Sequence, residues 1–106
     1  MSTVMKVKMS RHAIEDRLDR LSSCIECLGV GEVILETYRR DCRVCLTSTG
    51  LCLIYAKNEN LLITGYMCTV KQCMGIYYSC GYEKVPEKFF KTVMRNEKKY
   101  SFLLEK

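Results

Sequence analysis

The first apolar residues of the chain recur at the spacing of an α-helix. Ser10 is a favourable N-cap residue, and Gly29 and Gly31 interrupt the pattern further along. We therefore expect a first helix over residues 11–25, with one apolar stripe directed at the core. The residues of this stripe are Ile14, Leu18, Leu21 and Ile25.

Two more segments have a helical pattern. In residues 30–39 the apolar side chains recur at helical spacing and would share one side of a helix, which predicts a second, shorter helix. Pro86 suits the first turn of a final helix, which would bury a stripe of aromatic and aliphatic residues. The inward residues of the second helix are Val30, Val33, Ile34 and Tyr38, and those of the final helix are Phe89, Phe90, Val93 and Met94.

Between these helices the pattern changes to short apolar runs, which predict strands. Residues 42–48 and 51–56 form an expected hairpin around Thr49-Gly50, and residues 61–68 and 74–79 are the third and fourth strands. Residues 100–104 are expected to form a short strand or a docked tail. The sequence thus predicts an α+β fold with two N-terminal helices, a four-stranded antiparallel sheet and a C-terminal helix.

Composition limits the chain to one domain. It has 106 residues, of which 48% are hydrophobic and 27% are charged, so we expect a single domain over residues 1–106. No apolar run approaches the roughly 20 residues of a membrane span. The start of the sequence lacks the apolar segment of a secretory leader, and we expect a cytoplasmic protein that has no membrane partner.

Charge is concentrated on the flanks of the chain. The net charge is +5, yet residues 44–82 contain only three charged side chains. The final predicted helix is basic, and its cations are candidates for binding nucleic acid or another anionic partner. The alternative is an ordinary solvated helix face. The candidate residues are Lys88, Lys91, Arg95, Lys98 and Lys99.

Eight cysteines stand out in this composition. Four of them form two C-x2-C pairs separated by 14 residues, an arrangement close to that of tetrahedral zinc sites. Residues three apart in a strand point to opposite faces, which disfavours zinc, so we expect reduced, buried thiols and no cofactor, with zinc as the alternative. The candidate ligands are Cys24, Cys27, Cys42 and Cys45, and the cysteines expected to pack against the sheet are Cys52, Cys68, Cys73 and Cys80.

Two segments carry a family resemblance. Residues 9–20 read Met-Ser-Arg-His-Ala-Ile-Glu-Asp-Arg-Leu-Asp-Arg, which combines a His-Ala dipeptide with spaced arginines, and residues 62–66 read Leu-Ile-Thr-Gly-Tyr. Together they resemble small bacterial and prophage proteins of the RelE/ParE-toxin-like group, which have the barnase–EndoU–colicin–RelE fold. The resemblance covers roughly residues 9–78.

The resemblance implies metal-free RNA cleavage, in which a 2′-hydroxyl attacks the adjacent phosphate. His12 would act as base or acid, Arg17 and Arg20 would bind phosphate oxygens, and Tyr66 would stack on a base or donate a proton. Thr64, on the same side of its strand as Tyr66, completes the implied catalytic set. The plainer alternatives are a surface pair of His12 with the acid four residues later and a tyrosine in the core.

Three classes of function are therefore open. The first is a prophage-type protein directed at RNA, with or without cleavage. The second is a non-enzymatic, phage-encoded inhibitor of host defence, similar to anti-CRISPR proteins, that binds a host protein or nucleoprotein. The third is a zinc-stabilised binding module. The sequence favours the first, because the basic flanks suit both RNA binding and RNA cleavage.

Overall fold

A computed structural model describes the backbone of residues 11–104 and the side chains of residues 18–104. Its described part contains one N-terminal helix, a four-stranded sheet and two later helices. The elements in chain order are α1 (Arg11–Leu28), β1 (Val33–Arg39), β2 (Cys42–Thr47), β3 (Leu51–Ala56), β4 (Leu62–Met67), α2 (Val70–Ser79), α3 (Glu87–Lys99) and a 3-10 turn (Ser101–Leu104).

The sheet is an antiparallel meander in which each strand pairs with its neighbours in sequence. The strand order is β1-β2-β3-β4, so β1 and β4 are the edge strands. Two residues connect β1 to β2, and the first of them, Arg40, has a φ of 51°. This left-handed conformation is typical of the tight turns that match the twist of a hairpin.

The predicted second N-terminal helix is wrong, because residues 33–39 form strand β1. β1 pairs with β2 over its whole length, from Val33 opposite Thr47 to Arg39 opposite Cys42. Its β-branched and aromatic residues suit an extended chain, and the ladder with β2 outweighs the weaker helical periodicity. The four residues expected to face inward are exposed instead: Val30, Val33, Ile34 and Tyr38.

The predicted fourth strand is also wrong, because residues 74–79 belong to helix α2. A capping box starts this helix: the Gln72 amide donates to the Thr69 hydroxyl at 3.1 Å, and the Thr69 amide donates to the Gln72 side chain at 2.9 Å. Both orphan amides are thus satisfied before the apolar run begins. The sheet has four strands because β1 replaces the segment that became α2.

Other elements agree with the sequence pattern. The first helix, the β2–β3 hairpin, the strand at residues 62–67 and the final helix all lie where the pattern predicts them. Within α1, Leu21 is buried and Ile25 is half-buried, whereas Leu18 is exposed and Ile14 lies outside the described side chains. In α3, Phe89 and Val93 are buried, Phe90 is half-buried and Met94 is exposed.

Helices cover both faces of the sheet and divide the core in two. On one face α2 and α3 pack on residues such as Val44, Leu46 and Cys52. On the other face α1 packs on β4 and β3, with Leu21 and Cys24 against Leu51, Leu53 and Met67. Residues that alternate along β2 therefore belong to different cores.

The β2–β3 turn joins three parts of the fold. The Thr49 hydroxyl donates to the Gly29 carbonyl at 2.7 Å and so holds the segment after α1. The Asn96 side-chain amide donates to the Thr49 carbonyl at 2.8 Å and so holds α3. Asn96 is only 4% exposed, which makes this polar contact an internal one. None of the described helices is long and apolar enough to span a membrane.

Candidate nucleic-acid interface

Helix α3 presents its cations on one surface. Lys88, Lys91, Arg95, Lys98 and Lys99 are all exposed, and their spacing places them along one side of the helix. We call these five residues the basic face. At a rise of 1.5 Å per residue the face extends for about 16 Å. It is long enough to contact several phosphates of one nucleic-acid strand.

The two carboxylates of α3 offset this face only in part. Glu97 turns toward α2 and accepts a hydrogen bond from the Val70 amide at 2.9 Å. A carboxylate at that place also satisfies an orphan amide at the beginning of α2. Glu87 pairs with Lys91 at 3.5 Å, but both side chains are highly exposed, so this pair is weak.

A groove of about 640 Å³ runs beside the basic face. Its walls include three cations, Lys91, Arg95 and Lys98, and one carboxylate, Glu97, and its apolar part consists of Val70 and Met94. At the flank of the basic face, Arg95 and Lys99 border a second groove of about 340 Å³ near the β2–β3 turn. The cations of the basic face therefore line two grooves, with Arg95 shared between them.

A separate groove of about 530 Å³ lies along the free edge of β4. It brings together three residues of the predicted catalytic set: Arg20 from α1 and Thr64 and Tyr66 from β4. We call it the β4 groove. The side chains of the other two residues of that set, His12 and Arg17, lie outside the described residues.

The β4 groove also contains a residue that the sequence analysis missed. Gln72 lines the groove from the first turn of α2. The available signal was Thr69-x-x-Gln72 before an apolar run, which is the pattern of a capping box. The predicted strands covered residues 61–68 and 74–79, so the segment that contains this pattern was left between them.

No known protein family, curated protein or solved structure matches this chain. The basic face and the β4 groove are therefore the surfaces of this chain from which a function can be argued. The RelE-like resemblance stays a prediction.

Tyr66 is poorly suited to donate a proton. Burial and the neighbouring Cys52 thiol both raise the pKa of its phenol above the ordinary range. The two residues lie opposite each other on β3 and β4. A phenol with a raised pKa is a weaker acid, which favours stacking or hydrogen bonding by Tyr66 over proton donation.

The four cysteines proposed as zinc ligands do not come together. Cys24 and Cys45 are buried in the core beneath α1, whereas Cys42 lies on the opposite face of β2, beside the residues that face α2. Among the described residues, no group of three or more His, Cys, Asp or Glu side chains has the arrangement to hold a metal. Burial raises the pKa of Cys24 and Cys45, which disfavours the thiolate that zinc requires.

Three of the remaining cysteines are core residues. Cys52, Cys68 and Cys73 are fully buried between the sheet and the later helices, and Cys80 is half-buried. Desolvation raises the pKa of Cys73 to about 11. Cys52, Cys68 and Cys73 therefore pack in the core beside apolar side chains, as the sequence predicts.

Proposed function

We propose that this protein binds RNA through the basic face of α3. The observation that carries the proposal is the arrangement of five exposed cations on one side of a helix, where the nearby carboxylate of Glu97 is engaged by the Val70 amide. Phosphates are attracted to such a surface without regard to base sequence. RNA is named as the target because the RelE-like resemblance implies it.

The shape of this surface supports binding beyond simple solvation. An ordinary solvated face is convex, whereas the cations here border a groove with Val70 and Met94 in it. Ribose and base edges have apolar parts that fit beside such residues, while phosphates contact the cations at the rim. The net charge of +5 adds long-range attraction for a polyanion.

Neutralising three cations of the basic face tests this proposal. We expect the Lys91→Gln, Arg95→Gln, Lys98→Gln variant to bind RNA more than tenfold more weakly at 0.1 M salt. The slope of log K against log salt should fall by about 2, because each lost phosphate contact on a single strand removes about 0.7. Fluorescence anisotropy with labelled RNA between 50 and 300 mM salt measures both quantities.

A second triple variant of equal net charge is the control. Lys57→Gln, Lys71→Gln, Lys84→Gln removes three exposed cations that lie outside the basic face. If it weakens binding and lowers the salt slope as much as the α3 variant does, attraction depends on total charge alone and the proposed interface is wrong. Absence of RNA binding by the wild-type protein would refute the function itself.

RNA cleavage is a further proposal, implied by the resemblance alone. His12 is the one histidine in the sequence, and it would supply the base for attack by the 2′-hydroxyl. We expect His12→Ala combined with Arg17→Ala to abolish cleavage while leaving binding at the basic face. Gel analysis of RNA incubated with each protein measures the effect, and cleavage that persists in the double variant would contradict these roles.

A further inference from the structure

Three side chains form a row across adjacent strands. Tyr38 on β1 lies opposite Arg43 on β2, and Arg43 lies opposite Tyr55 on β3. Residues directly opposite each other share a face of the sheet. We call Tyr38, Arg43 and Tyr55 the tyrosine–arginine row, and it lies on the same face as α1.

Neighbouring side chains hold Arg43 in place. Its guanidinium lies over the Tyr55 ring, 4.9 Å from the ring centroid, and it donates to the Asn60 side-chain oxygen at 3.4 Å. A guanidinium held by two neighbours in this way loses less conformational entropy when it contacts a ligand. Tyr55 is half-buried beneath this contact.

The β1 end of the row is open to solvent. α1 packs on β4 and β3, and Tyr38 on β1 is 54% exposed. Ile34, on the same face of β1, is also exposed, at 41%. Two spacings between strands separate Tyr38 from Tyr55, about 10 Å, and Arg43 fills the space between them, so a base would stack at the exposed Tyr38 end of the row.

We propose that the tyrosine–arginine row binds unpaired bases of single-stranded RNA by stacking, in addition to the phosphate contacts of the basic face. This inference rests on the proposed RNA binding and names its substrate class. Aromatic and guanidinium planes on an open sheet face accept bases of any sequence, since every base has a π-face. A base paired within a duplex is already stacked and cannot lie on the row.

Charges around the row limit the role of phosphate attraction there. Arg40 lies in the turn between β1 and β2, and Lys57 lies in the turn after β3. The two turns are joined by a hydrogen bond in which the Lys57 amide donates to the Asp41 carbonyl at 3.0 Å. Asp41 and Glu59 lie in the same turns, and the exposed carboxylate of Glu36 lies next to Tyr38 on the same face of β1; these acids offset the cations. Stacking rather than charge should therefore dominate, so the row contributes affinity with little dependence on salt.

The test compares single-stranded and duplex RNA. For Tyr38→Ala we expect binding of a labelled single-stranded A6 oligonucleotide to weaken about 5- to 100-fold, the usual loss for removing one stacking ring. Affinity for a 16-base-pair duplex and the salt slope should stay as in the wild type. Tyr38→Phe keeps the ring and should retain binding.

Tyr78→Ala is the matched control, because Tyr78 is 48% exposed on α2, away from the row. If Tyr38→Ala binds A6 as tightly as the wild type does, base stacking at the tyrosine–arginine row is contradicted, while the proposed RNA binding at the basic face is unaffected. An equal loss of A6 binding in Tyr78→Ala would also contradict stacking at the row.

If Tyr38→Ala instead turns a dimer into a monomer in analytical ultracentrifugation, with RNA affinity unchanged, this face joins two copies of the chain. Wild-type protein that binds neither RNA refutes the proposed function together with the row.

Discussion

Replacing Gly50 with alanine should lower the free energy of unfolding by about 3–4 kcal/mol, from backbone strain and a displaced buried amide together. Gly50 has a φ of 102°, a conformation that residues with a Cβ rarely adopt. A Cβ at this position would lie 2.5 Å from Nδ2 of Asn96. In the alanine variant, either the backbone at residue 50 or the Asn96 side chain must therefore shift.

Asn96 cannot move away without cost. It is buried, and its amide donates to the Thr49 carbonyl at 2.8 Å. Moving it leaves a buried donor and a buried acceptor without partners and separates α3 from the β2–β3 turn. Because Thr49 also holds the segment after α1, the disturbance should spread beyond the hairpin.

Gly81→Ala is the control for this prediction. Gly81 has a similar φ of 94°, but nothing lies within 4 Å of the position of its Cβ. It should show the backbone strain alone, about 1–2 kcal/mol. Urea denaturation followed by circular dichroism measures both variants. Equal losses in the two would show that the contact with Asn96 contributes nothing.

Stability should decline steeply at alkaline pH because buried thiols resist ionisation in the folded protein. Desolvation raises the pKa of Cys73 to about 11 from an ordinary value of 9.0. Between these two pH values the unfolded chain releases the proton and the folded chain keeps it, so the free energy of unfolding falls. Cys73 alone should account for a loss of about 2 kcal/mol by pH 11, and the full contribution is present below pH 9.

Several other buried groups act in the same direction. Burial raises the pKa of Cys24, Cys45 and Tyr77, and the Cys52 thiol together with burial raises that of Cys68. The pKa of Cys52 is lowered by its hydrogen bond with Cys68, so Cys52 opposes the trend. The sum still favours loss of stability as pH rises, since the raised groups outnumber the single lowered one.

Urea titrations at pH 8, 9, 10 and 11 measure this decline, with Cys73→Ala as the comparison. The cavity in the variant lowers stability at every pH, but its loss between pH 9 and 11 should be smaller than in the wild type by about 2 kcal/mol. Parallel curves for the two proteins would show that Cys73 ionises equally in the folded and unfolded states.

Local pattern was sufficient for elements whose sequence carries both a period and its boundaries. α1 has a helical stripe that Gly29 ends, and the β2–β3 hairpin has a glycine where φ is positive. α3 begins after Pro86, and its exposed cations follow from the same helical period that buries Phe89 and Val93. The basic face was therefore predictable from the sequence.

Two elements depended on partners distant in the chain. The apolar residues of β1 fit either a helix or a strand, and pairing with β2 decided between them. Residues 74–79 were predicted as a strand from their aromatic and apolar pattern, whereas a capping box at Thr69 and Gln72 starts a helix there. For the candidate zinc site, by contrast, local geometry was sufficient. Residues three apart in a strand were predicted to point to opposite faces, and β2 places Cys42 and Cys45 on different faces.

Tertiary structure alone decided which surfaces contain several functional residues. The β4 groove combines Arg20 with Thr64 and Tyr66 because α1 packs on the edge strand, a contact between segments more than forty residues apart. The tyrosine–arginine row exists because register aligns β1, β2 and β3. Periodicity along the chain reports which side of an element is apolar, but it carries no information about which elements become neighbours or in what register. The basic face of α3 was thus determined by local sequence, whereas the β4 groove and the tyrosine–arginine row exist only in the folded sheet.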